Sequence, residues 1–68
     1  MKPFFITWKR LAESLSMAGI ELTPCQNVYN PSRPAWKCDL TEQAAELIAA
    51  EYRKSNRPVP AVVMDALQ

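Results

Sequence analysis

A chain of 68 residues is a single domain, and at that size folding buries only about 60% of the surface the unfolded chain exposes, so a second copy or a larger partner is a ready source of further burial. Eight basic and seven acidic residues leave a net charge of +1, which excludes a strong field drawing the whole molecule to nucleic acid or to an anionic membrane. Without a histidine the chain lacks the usual base near neutral pH and a common metal ligand, and no apolar run approaches the roughly 18 residues needed to span a bilayer.

Residues 3–18, PFFITWKRLAESLSMA, read as a first helix. Phe4, Trp8, Leu11, Leu15 and Ala18 recur at four- and three-residue spacing, Pro3 is tolerated in a first turn, and Thr7 offers a later N-cap. Gly19, the one glycine of the chain, stands where a left-handed residue ends a helix, with Ile20 placed to pack back on Leu15. Phe4-Phe5-Ile6 also has high β-propensity, so residues 2–6 allow a short strand that would pair most easily with its own copy across a two-fold axis.

Residues 20–38 form a connector whose prolines, Pro24, Pro31 and Pro34, exclude a regular helix. Two short alternations, Ile20-Glu21-Leu22 and Trp36-Lys37-Cys38-Asp39-Leu40, permit a β-hairpin with Asn30-Pro31-Ser32-Arg33-Pro34 at its tip. A connector this long inside a small domain is a natural place for a binding site.

The segment Asp39–Lys54, DLTEQAAELIAAEYRK, carries the clearest helical signal. Leu40, Ala44, Leu47, Ile48 and Tyr52 share one face. Asp39 and Glu42 have the spacing of a capping box, with Thr41 as a competing N-cap, and the charges run from acidic Glu42 and Glu46 to basic Arg53 and Lys54, complementing the helix dipole. Asn56-Arg57-Pro58 is a break, and a short C-terminal helix from Pro60 would bury Val59, Val63, Ala66 and Leu67. The expected fold is therefore mainly α: two principal helices plus a short C-terminal helix, joined by a long proline-rich connector, with the hairpin or the N-terminal strand as its β content.

The residues bearing on function fall in the first half. Cys25 and Cys38, with twelve intervening residues and no histidine partner, match no zinc pattern and read as buried thiols anchoring the connector, in a cytoplasmic setting where a disulfide is not expected. No metal, cofactor or catalytic set is expected, since no nucleophile, base and orienting residue stand together. Phe4, Phe5, Trp8, Tyr29, Arg33, Trp36 and Lys37 combine aromatics and cations of the kind concentrated at protein–protein contacts, and they are the expected partner-binding residues.

The first 37 residues hold Lys2, Lys9, Arg10, Arg33 and Lys37 against Glu13 and Glu21, a local charge of +3. The alternative reading is therefore a small nucleic-acid-binding transcriptional regulator using Lys9, Arg10, Arg33 and Lys37. The favoured one is a non-enzymatic, self-associating regulator or inhibitor that forms a homodimer and binds another protein, with no membrane association.

Overall fold

The structure, a computed structural model, describes residues 2–68. Its elements run β1 (Pro3–Ile6), α1 (Lys9–Met17), β2 (Thr23–Gln26), β3 (Pro34–Asp39), α2 (Glu42–Lys54) and α3 (Ala61–Ala66). The three strands form one sheet in the order β1-β3-β2, with both pairings antiparallel. The fold is thus α+β, and the mainly α expectation is overturned.

The N-terminal segment is the clearest correction. Phe4 and Ile6 are buried while Pro3 and Phe5 are exposed, a period of two that a helix cannot produce. The apparent helical spacing from Phe4 to Trp8 is coincidental. The helix begins at Lys9, after Trp8 as an N-cap residue that makes no side-chain capping bond, and it buries Leu11, Ala12 and Leu15. β1 pairs with β3 of its own chain, Phe4 opposite Cys38 and Ile6 opposite Trp36, rather than with a second copy. The connector supplies the other two strands, with Thr23 opposite Lys37 and Cys25 opposite Ala35.

The ladder also explains how prolines are accommodated in strands. The Leu40 N–H donates to the Lys2 carbonyl at 2.9 Å, which makes these two a hydrogen-bonded pair. Alternation then makes Phe4–Cys38 and Ile6–Trp36 the next such pairs, so Pro3 and Phe5 turn their backbone groups to the outer edge. Because Trp36 bonds towards β1, Ala35 and Lys37 bond towards β2, and Pro24 also faces outward. Each edge strand carries a proline where no donor is lost, and each edge is correspondingly poor as a template for an added strand.

The helix ends follow local chemistry. After α1 the Gly19 φ is +89°. Ile20 N–H donates to Leu15 C=O at 3.0 Å and Gly19 N–H to Ser16 C=O at 3.1 Å, a Schellman closure. The same closure ends α2, where Asn56 has a φ of +56° and Arg57 N–H reaches Tyr52 C=O at 2.8 Å. At the start of α2 the cap is Thr41, whose Oγ1 accepts from Ala44 N–H at 3.1 Å. Asp39, the other candidate for that cap, is the last residue of β3.

Phe4, Ile6 and Cys38 from one face of the sheet join Leu11, Leu15, Ala44, Ala45, Ile48 and Val63 in a single core. Val59, Ala66 and Leu67 are half-buried at its margin. Alternation sends Pro3, Phe5, Thr23, Cys25, Ala35, Lys37 and Asp39 to the opposite face, which no helix covers.

Candidate functional site

The helix-free face of the sheet displays the most unusual surface of the molecule. Phe5, on the edge strand β1, has 63% of its surface exposed and stands beside Lys37 on β3. At the hairpin end of the sheet Val28 and Tyr29 are exposed to 78% and 92%. Single exposed apolar residues are ordinary, but these belong together. Phe5, Cys25, Val28, Tyr29 and Ala35 line one groove of about 330 Å³, with Thr7, Gln26 and Asn27 at its margin. Ala35 is its buried floor.

The loop that raises Val28 and Tyr29 is held by one buried side chain. Asn27 Oδ1 accepts from the N–H groups of Tyr29 and Asn30, both at 3.0 Å, the local bonding that asparagine offers a turn. Arg33 N–H then closes on Asn30 C=O at 2.9 Å around Pro31, and Ser32 Oγ donates to Asn30 Oδ1 at 2.7 Å. These bonds fold the loop backbone back on itself and leave Val28 and Tyr29 facing water.

A second groove, of about 410 Å³, adjoins the first at Thr7 and is lined by Thr7, Trp8, Lys9, Arg33 and Pro34. Trp8 is half-buried and braced. Tyr52 meets it edge-on with ring centroids 5.7 Å apart, and the Arg57 guanidinium lies over it at 4.1 Å from the centroid. Lys9 and Arg33 thus share a groove with an indole on which Arg57 stacks.

The residues expected to bind a partner are thus divided by the fold. Phe5, Tyr29 and Lys37 lie on the helix-free side, and Trp8 with Arg33 in the adjoining groove. Phe4 is withdrawn into the core, and Trp36, directed to the helical face, packs against it. Of the cations considered for nucleic acid, Lys9 and Arg33 share a groove, Lys37 stands beside Phe5, and Arg10 is exposed on α1 and lines neither groove. Val28, Cys25 and Asn27 complete the site without having been singled out as binding residues. An asparagine two residues before an exposed aromatic in a proline-bounded loop is the signal that could have found them.

The cysteines are both free thiols. Cys38 lies in the core as expected. Cys25 is only half-buried and on the opposite face, because strand alternation turns it away from the helices, which corrects the expectation that both are buried anchors. A bridge between them would require the sheet to break. Burial, and secondarily the Asp39 carboxylate, push the Cys38 thiol above its ordinary value of 9.0. Among the described residues no cluster of metal-ligating side chains occurs, and no helix is long and apolar enough to cross a membrane. No protein-family model matches the chain, and neither does any curated protein or solved structure in the comparisons made.

Proposed function

We propose that the chain is a non-enzymatic protein-interaction module, a small regulator or inhibitor that acts by docking on another protein through the helix-free face of its sheet. The observation that carries this reading is the grouping of Phe5, Val28 and Tyr29, all largely exposed, around one apolar groove. A domain this small has little buried surface to spare, and three large apolar side chains left in water lower its solubility without contributing to its core. Their burial in a complex supplies the missing gain. The Asn27 bonds favour the same reading, since a loop backbone already folded onto one side chain has less freedom to lose on binding.

Self-association belongs to the same proposal and uses the same face, because the outward prolines Pro3 and Pro24 make strand addition at either edge a poor route. A homodimer and a complex with another protein therefore compete for one surface. The cytoplasm is the proposed compartment, on the strength of the two unbridged thiols.

Affinity capture from host extract with the wild-type chain and with Phe5→Ser tests the reading. We expect the wild type to retain a protein that Phe5→Ser releases, while both variants give the same circular dichroism spectrum. Equal retention by the two would remove the sheet face as the contact. Light scattering on the purified chain tests the dimer separately: a mass that falls from dimer towards monomer on dilution and is monomeric throughout for Phe5→Ser supports it, and a wild-type monomer at every concentration refutes it.

A further inference from the structure

The two grooves that meet at Thr7 differ in chemistry, and together they describe the partner. One is apolar, with Phe5, Val28 and Tyr29 around the Ala35 floor. The other contains Lys9 and Arg33 beside Trp8, with Arg57 stacked on that indole. Among the described residues lining either groove, the charged ones are Lys9 and Arg33, and both are positive. Lys9 pairs with Glu13 one turn along α1, Oε1 standing 4.0 Å from Nζ, and the pair is so exposed that water screens most of the interaction. Lys37, next to Phe5 on the sheet, shares a separate pocket with Glu21 and Asp39, so it adds no net positive charge, and the cationic character of the surface rests on Lys9, Arg33 and Arg57. α1 also begins in the cationic groove, and its dipole contributes the same sign.

We infer that the occupant of this surface is an acidic segment of another protein chain: a bulky apolar side chain seats among Phe5, Val28 and Tyr29, and carboxylates a few residues along the segment reach Lys9 and Arg33. This rests on the protein-interaction reading above and adds to it the chemistry of the partner. A carboxylate suits these groups because guanidinium and ammonium donors form short, charge-assisted bonds to it, and because an apolar anchor beside a charged contact fixes both register and direction. A nucleic acid would use the cations equally well and stack on Phe5 or Tyr29, but a chain with a net charge of only +1 offers it little of the field on which such binding depends.

Panning an unbiased twelve-residue peptide display library on the full chain tests this, run in parallel on wild type, Phe5→Ser and the charge-reversed Lys9→Glu/Arg33→Glu variant. All three altered side chains are exposed, so the variants fold, and circular dichroism checks it. The expected result is enrichment on the wild type of peptides with one large apolar residue followed or preceded closely by Asp or Glu. The acidic preference should disappear or invert on Lys9→Glu/Arg33→Glu, and the apolar one should disappear on Phe5→Ser.

Apolar enrichment without acids, lost on Phe5→Ser, would overturn the acidic partner and leave the interaction reading standing. No enrichment, or enrichment indifferent to Phe5→Ser, would overturn both. A labelled single-stranded oligonucleotide titrated at low salt forms the second arm. Binding lost on Lys9→Glu/Arg33→Glu but kept by Phe5→Ser would assign the cations to nucleic acid and overturn the inference, whereas no binding agrees with it.

Discussion

At the scale of single residues, the positions that matter most are those where backbone or hydrogen-bonding geometry leaves little choice. Gly19 is the cleanest case. A Cβ added there would meet nothing within 4 Å, yet its φ is +89°, so Gly19→Ala should cost about 1 kcal/mol through backbone strain alone, read as a lower urea midpoint with unchanged slope. Asn27 is a different kind of constraint. Asn27→Ala removes the acceptor of two N–H groups and should cost about 1 kcal/mol, since water reaches those exposed donors, whereas Asn27→Asp keeps the acceptor and much of the stability. The Ala variant should also weaken partner binding, because Val28 and Tyr29 lose the loop that presents them.

Cys38 gives a pH dependence whose sign follows from its burial. The folded chain holds the thiol proton more tightly than the unfolded chain does, so the resulting stability is complete below the ordinary value of 9.0 and is lost as pH rises through the higher folded value. Wild-type melting temperature should therefore fall on the alkaline side, and that component of the fall should be missing from Cys38→Ala, as a pH series of thermal melts would show. The half-buried Cys25 should react with a thiol reagent in the native chain well before Cys38 does.

At the scale of elements, much of the helical architecture is legible in the residues and most of the sheet is not. The stripe of Ala44, Ile48 and Tyr52 marks α2 because that pattern lies within the helix, while its start falls at the competing cap Thr41 and not at Asp39, which pairing with Pro3 draws into β3. Thr41→Ala should cost about 1 kcal/mol, measurable by denaturant titration, since one first-turn donor then loses its acceptor. Gly19 marks the end of α1 for the same local reason.

The strands are specified from a distance instead. Phe4 belongs to β1 because Cys38 stands opposite it, and a partner so far along the chain leaves no trace in the local spacing of apolar residues. Trp8, Leu11 and Leu15 then extend a helical pattern backwards over residues that are extended. The prolines of the connector exclude a helix, as read, but their compatibility with strands depends on which edge they face, and only the strand order decides that. The candidate site was partly legible in the same way. Phe5, Tyr29, Arg33 and Lys37 stand out by composition, whereas the separation of Phe4 and Trp36 from them follows from a strand period of two.

At the scale of the whole molecule, the fold is a sheet with its helices on one side only. The small core joins one sheet face to three helices, and the aromatic and arginine bracing around Trp8 ties the start of α1 to the end of α2. The opposite face keeps Phe5 in water beside two grooves, one apolar and one cationic. On the proposed function a partner meets this face and not the outer surfaces of the helices. Hydrogen–deuterium exchange on the chain alone and in complex with a protein recovered by capture measures that most directly. Slowed exchange concentrated in residues 5–9 and 25–33 is the predicted footprint. Protection confined to α2 and α3, with the hairpin loop exchanging as fast as in the free chain, would contradict the account.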